Sequence, residues 1–189
     1  MRIEDRIQPA RRLTAIELCA GAGGQALGLE DAGFEPLALV EIDKNACNTL
    51  RANRPEWNVI EDDIKKFDAT PYADAEPDLL AAGVPCPPFS IAGKQLGKKD
   101  ERDLFPALLK RIDECQPRAV MVENVRGLMG AVFAPYRAEI RRKLDKLGYR
   151  VVEWDLANAS DYGVPQLRPR SILIAFRKDQ RVPFKWPKA

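Results

Sequence analysis

Apolar residues fall along this chain in short runs, separated by stretches whose apolar positions recur every three or four residues. The runs Leu13–Leu18, Pro36–Glu41, Asp78–Ala82, Ala119–Val122, Arg150–Leu156 and Ser171–Phe176 are predicted as strands, with a shorter one at Asn58–Ile60. Between them, Gly24–Ala32, Asn45–Asn53, Leu104–Cys115 and Tyr136–Leu147 are predicted as helices. Leu104, Leu108, Ile112 and Cys115 mark one apolar face of the third helix, while Gly33 and Gly148 close the first and last. This βαβα rhythm predicts an α/β fold, a doubly wound and mostly parallel sheet in one domain. No internal repeat or low-complexity segment interrupts it.

Composition changes that picture little but removes several chemistries. At 189 residues, with 46% hydrophobic and 31% charged residues, the chain suits one soluble domain with a sizeable core. No apolar stretch approaches the roughly 20 residues of a membrane span, and the first residues carry no signal-peptide pattern. There is no histidine, and Cys19, Cys47, Cys86 and Cys115 form no closely spaced pair. A zinc site or histidine-based dyad is therefore excluded, no metal is expected, and a thiol-reduced cytosolic setting follows. A net charge of +2 permits a polyanionic partner without arguing for one.

The strand ends carry the candidate chemistry. The first strand runs into Cys19-Ala20-Gly21-Ala22-Gly23-Gly24, whose glycines let the backbone turn tightly beside a ligand before a helix begins. It is not a phosphate loop, since no Lys-Ser/Thr follows. Glu41, about twenty positions on at the tip of strand two, is placed for a ribose diol, whereas Asp43 suits a helix N-cap. After strand three, Asp62-Asp63-Ile64 offers a carboxylate to an adenine amino group. Three such strand ends point to one adenosine-containing ligand, either a nicotinamide dinucleotide or S-adenosylmethionine.

The fourth strand ends in Gly83-Val84-Pro85-Cys86-Pro87-Pro88-Phe89-Ser90. Prolines 85, 87 and 88 fix φ and remove donors, so Cys86 leaves the sheet edge on a stiff backbone, placed as a nucleophile. Strand five ends in Glu123-Asn124-Val125, which sets a carboxylate on the same edge. A thiol and a carboxyl form a nucleophile and proton-donor pair that needs no histidine. Arg137, Arg141, Arg142, Lys143 and Lys146 form a basic run on the last helix, expected to be a solvated face.

Taken in order, these segments, followed by Asp161-Tyr162-Gly163-Val164-Pro165-Gln166 with Arg168 and Arg170, resemble the catalytic part of the C5-cytosine-specific DNA methyltransferases. The resemblance implies a Rossmann-like, S-adenosylmethionine-dependent methyltransferase fold. It implies S-adenosylmethionine as cofactor and S-adenosylhomocysteine as product, bound by Cys19, Ala20, Gly21, Gly23, Gly24, Glu41, Ile42, Asp63, Ile64 and Pro85. Cys19 and Ile42 stand where the family often has aromatic residues against the adenine, and both still offer apolar faces. Cys86 would attack C6 of a flipped-out cytosine, Glu123 would contact N3 and the exocyclic amine, and Arg168 and Arg170 would reach the base and its phosphate. A free thiol has a pKa of about 8.5, so those arginines would also favour the thiolate. Ser90, Lys94, Gln95, Arg102, Gln166 and Arg168 would meet double-stranded DNA, with the lysine-rich stretch 91–103 seeking phosphates.

The same resemblance divides the chain into an extension (1–12), a catalytic domain (13–177) and a tail (178–189) leading toward a target-recognition region that is absent. The fold is therefore expected to be incomplete at the C-terminus, with a second polypeptide supplying that region and a closing helix, because phosphate contacts alone give register without specificity. The alternatives are a cofactor- or DNA-binding fragment without turnover, a tRNA cytosine-5 methyltransferase, and a nicotinamide oxidoreductase, which leaves the Pro-Cys segment unexplained. The implied location is the bacterial cytosol or nucleoid.

Overall fold

A computed structural model describes residues 12–85 and 103–188. The elements follow in the order β1 (Leu13–Leu18), α1 (Gly24–Asp31), β2 (Phe34–Glu41), α2 (Lys44–Asn53), β3 (Val59–Glu61), β4 (Leu79–Gly83), α3 (Phe105–Cys115), β5 (Ala119–Val125), α4 (Ala134–Lys146), β6 (Tyr149–Asn158) and β7 (Pro169–Arg177). The seven strands form one sheet in the order β3-β2-β1-β4-β5-β7-β6. Strands β1 to β5 pair in parallel, and β7 inserts antiparallel between β5 and β6. The doubly wound, mostly parallel sheet expected from the alternation is what the chain forms. Its order reverses between β1 and β4, which opens a crevice at their C-terminal ends.

Two boundaries differ from the pattern for reasons of proline chemistry. Strand β2 starts at Phe34, two residues before the predicted Pro36, and its register with β1 shifts between Ala15 and Ile16, opposite Pro36 and Ala38. The irregularity accommodates a residue that cannot donate to the ladder. Helix α4 starts at Ala134 instead of Tyr136 because Pro135 sits in its first turn, where the missing N–H costs nothing. No helix among the described residues is long and apolar enough to cross a membrane.

One face of the sheet is covered along its width. Ile16, Leu18, Val40, Leu80, Ala82, Val120, Val122, Leu173 and Ala175 pack there against Leu108, Ile112 and Cys115 of α3 and Ile140 and Leu144 of α4 in one continuous core. On the other face, α1 and α2 cover β1 to β3 through Ala26, Leu50 and Trp57. Next to them Ala15, Leu79 and Ala81 form a small third cluster. Farther across, Ile172, Ile174 and Phe176 of β7 are only half-buried, and they sit opposite Glu123, Met121 and Ala119 of β5 in register. Both strands alternate buried and half-buried residues although both faces are apolar.

The N-terminal edge of the sheet is pinned by Asp78. Its Oδ2 accepts from the Thr14 N–H at 2.9 Å and its Oδ1 from Arg118 at 2.9 Å. Arg118 also donates to the Gln180 side chain, so the first part of the predicted tail is bonded to the domain.

Candidate active site

The crevice at the switch between β1 and β4 holds a cavity of about 680 Å³. It is lined by the ends of four parallel strands: Cys19 and Gly21 after β1, Val40 to Ile42 from β2, Asp62 to Lys65 after β3, and Gly83 and Pro85 from β4, with Leu104 closing it. The volume falls in the range of ordinary small-molecule sites.

Its geometry begins with Glu41, a buried carboxylate. Oε2 accepts from the Gly21 N–H at 2.7 Å, and Oε1 accepts from the Ile42 and Asp43 N–H groups at 2.8 Å each. A carboxylate has about four acceptor sites, so these three donors fix the group and leave capacity for a ligand hydroxyl. Asp43 itself caps α2, its Oδ1 accepting from the Ala46 N–H at 2.8 Å. Beside Glu41, Asp62 Oδ1 accepts from the Asp63 N–H and Asp63 Oδ1 from the Lys65 N–H, which holds the chain as it leaves β3.

Cys19 stands in the left-handed backbone region with φ of 57°. A side chain held there is strained, a feature that concentrates at functional sites. Burial pushes its thiol up to about 12, and the carboxylates of Glu41, Asp63 and Glu17 push the same way. The thiol is therefore a neutral, unreactive wall. Ile42 is two-thirds exposed and Ile64 buried, so the cavity pairs apolar walls with carboxylates.

Seven of the residues predicted for the cofactor meet at this cavity: Cys19, Gly21, Glu41, Ile42, Asp63, Ile64 and Pro85. Ala20, Gly23 and Gly24 are not among the residues lining it. Ala20 is buried, donating to Val40 O and accepting from the Gly23 N–H. Gly23 has φ of 93°, and a Cβ there would lie 2.7 Å from Leu50, so its glycine is explained by backbone and core packing. Val40, Asp62, Lys65, Gly83 and Leu104 line the cavity without having been predicted for the cofactor. Asp62 and Gly83 are legible in the sequence, since both stand inside the motifs quoted there, whereas Leu104 arrives only through tertiary folding.

Along the same edge, Gly83 and Glu123 are partners in the parallel register of β4 and β5. Arg170, entering β7 opposite Val125, places its Nε 2.7 Å from the Glu123 carboxylate. Both side chains remain partly exposed, at 25% and 32%, so the pair faces the opening instead of the core. Asn124, next in β5, turns inward, with its Nδ2 donating to Val84 O at 3.3 Å. Gln166 and Arg168 sit on the exposed loop before β7, whose base is held by the Asn158 side chain accepting from the Arg168 N–H. Cys86, Ser90, Lys94, Gln95 and Arg102 lie outside the described residues. Among the described residues no group of three or more histidine, cysteine or acidic side chains could hold a metal.

The basic run on α4 is not uniformly solvated, as the spacing had suggested. Arg137 donates to Leu128 O and Gly130 O, bracing the turns after β5. Arg141 lies 5.4 Å over the Trp154 ring, where partial burial lowers its pKa. Arg142, Lys143 and Lys146 do surround an exposed surface.

Comparison with known proteins is consistent with this arrangement. Residues 13–189 match the family model for C-5 cytosine-specific DNA methylase. The Type II methyltransferase M.NgoMIV of Neisseria gonorrhoeae is 56% identical over 176 residues, covering 93% of this chain and 55% of that protein. M.NaeI of Lentzea aerocolonigenes is 52% identical, covering 93% and 42%. The chain thus spans about half the length of these curated relatives. Among solved structures, Spodoptera frugiperda DNMT2 superposes with a TM-score of 0.74 at 28% identity, covering 92% of this chain and 52% of that one.

Proposed function

Since the chain belongs to the C-5 cytosine-specific DNA methylase family, we propose that it carries the catalytic part of a DNA cytosine-5 methyltransferase. The observation that carries the cofactor reading is the charge of the cavity. Glu41, Asp62 and Asp63 line it against Lys65 as the one lining cation among the described residues. A pyrophosphate-bearing dinucleotide would be repelled there, whereas a ligand with sulfonium and ammonium charges is attracted. When bound, S-adenosylmethionine supplies the methyl group. Glu41 would take a ribose hydroxyl on its remaining acceptor capacity, Asp63 the adenine amine, and Cys19, Ile42 and Ile64 the apolar surfaces.

The reaction then runs along the strand edge. Cys86 Sγ, two residues beyond Val84, bonds to cytosine C6 while Glu123 delivers a proton to N3, so the electron pair of the C5–C6 double bond becomes available at C5. After C5 gains the methyl group, a base removes the C5 proton, the C5–C6 double bond re-forms as the Cys86 thiolate leaves, and N3 returns its proton to Glu123. The Arg170 guanidinium holds Glu123 in place and, with Arg168, supplies positive charge beside the base. The cytosine must leave the duplex for both faces to be reached. Ser90, Lys94, Gln95, Arg102 and Gln166 would hold the DNA around it.

A second polypeptide would supply target recognition and cover the apolar band of β5 and β7. Ile172, Ile174 and Phe176 are half-buried apolar residues on a sheet whose other face is fully packed, as expected of a surface that another segment covers. The setting would be the bacterial cytosol, where the DNA lies. The test is methyl incorporation from labelled cofactor into duplex DNA and into tRNA, by the chain alone and with the polypeptide encoded immediately downstream. Incorporation into DNA at cytosine C5 is the expected result. Incorporation into tRNA alone, or into neither substrate in both arms, overturns the proposal.

A further inference from the structure

Strands β6 and β7 are joined by an exposed loop at the same edge as the Glu123–Arg170 pair. Their last ladder partners are Asn158 and Pro169, one step beyond the rung that sets Ala157 beside Arg170. From Ser160 to Arg168 every residue is exposed, so no core packing gives the loop its shape. Hydrogen bonds do so instead. At the tip, Gly163 has φ of 83°, and the Gln166 N–H donates to Val164 O at 2.7 Å across Pro165. At the base, one side chain joins the two limbs. Asn158 Oδ1 accepts from the Arg168 N–H at 3.0 Å, and its Nδ2 donates to Ser160 Oγ at 2.7 Å. Ser160 Oγ donates in turn to Asp161 Oδ1 at 3.2 Å. A carboxamide offers an acceptor and a donor on one flat group, and here each end holds a different limb.

The limb so bracketed carries Arg168. That residue is exposed and its guanidinium has no partner among the described residues, whereas Arg170, two positions on, is paired with Glu123. A free cation on a main chain already held in place meets an anion at a smaller ordering cost than one on a loose loop. We propose that Asn158 is a positioning residue, bracketing the loop so that Arg168 is presented to a DNA phosphate. The inference rests on the reading that this loop meets DNA. Asn158 carries no charge, so any change it makes to the electrostatic part of DNA binding must act through a charged group that it places. Leucine keeps nearly the shape of asparagine, so Asn158→Leu removes both hydrogen bonds while filling the space.

The experiment is fluorescence anisotropy of a labelled mixed-sequence DNA duplex, titrated with the full chain and the polypeptide encoded immediately downstream, from about 50 to about 200 mM salt. Wild type is compared with Asn158→Leu, Arg168→Ala and the double variant. Losing one phosphate contact lowers the slope of log affinity against log salt by about 0.9. Arg168→Ala should show that loss. Asn158→Leu is expected to show most of it without any change of charge, its deficit being up to about threefold larger at the low-salt end than at the high-salt end. Adding it to Arg168→Ala should change the slope no further. A wild-type slope in Asn158→Leu overturns the proposal, and so does a double variant in which the two losses add in full. If Arg168→Ala itself keeps the wild-type slope, the reading that this loop meets DNA fails and the proposal falls with it, a result seen without any Asn158 variant.

Discussion

The two edges of the sheet are built from the same residue types and behave differently. At the N-terminal edge, Asp78 is buried and spends its oxygens on the Thr14 backbone and the Arg118 guanidinium, which in turn reaches Gln180. At the C-terminal edge, Glu41 is buried to nearly the same degree and is also held by the main chain, but it faces an open cavity. One carboxylate closes a structure, and the other is fixed so that something else can bind it. Burial alone does not separate a fastener from a site; what separates them is the space in front of the group.

A third buried acid sharpens the contrast, and it carries the largest expected effect. Glu17, in β1, is 3% exposed, and its Oε2 has no partner among the described residues. Burial pushes its carboxyl from the ordinary 4.5 up to about 8, so it is protonated in the folded protein at neutral pH. Because the folded state binds the extra proton, stability is fully present below about pH 4.5 and is lost as pH rises through about 8. Denaturant titrations should show stability falling with a slope of up to about 1.4 kcal/mol per pH unit inside that window. Glu17→Gln should abolish this slope, and an equal slope in the variant would assign the effect elsewhere.

Asp78→Ala comes next. It leaves the Thr14 N–H without its acceptor and frees Arg118, so unfolding free energy should drop by about 2–4 kcal/mol. Cofactor affinity in the protein that remains folded should not change. Glu41→Ala should reverse that pattern, weakening S-adenosylmethionine binding by about tenfold or more in calorimetry, with a stability loss of about 1–2 kcal/mol from the released Gly21, Ile42 and Asp43 donors. If Asp78 and Glu41 variants moved stability and binding in the same proportion, the distinction between the edges would be lost. Smallest is the stability effect of Arg170→Ala. The Glu123 pair is partly exposed, so breaking it should cost less than about 1 kcal/mol.

Much of this was readable before folding. Strand runs such as Leu79–Gly83 are apolar because they are buried in a two-sided sheet, and strand ends carry Glu41, Asp63 and Glu123 to one edge by topology alone. Other features could not be read. The left-handed backbone of Cys19 and the arrival of Leu104 depend on contacts between distant segments. Gly23 looked like a ligand-facing glycine, but its reason lies in Leu50, on another helix. Arg137 and Arg141 share a spacing with their solvated neighbours and are set apart by a turn and a tryptophan that adjoin them only in three dimensions. The Asn124 hydrogen bond to the Val84 carbonyl likewise joins two strands that adjoin only in the folded sheet.

The central claim is that this edge performs covalent methyl transfer through Cys86. Its most direct test is mass spectrometry of the chain, with the downstream polypeptide present, after incubation with S-adenosylmethionine and duplex DNA carrying 5-fluorocytosine. Fluorine at C5 blocks the proton loss that frees the thiol, so the account predicts a stable DNA adduct mapped to Cys86, absent from Cys86→Ser. An adduct that forms equally in the Cys86→Ser protein, or none in the wild type while methyl transfer to ordinary DNA proceeds, would contradict it.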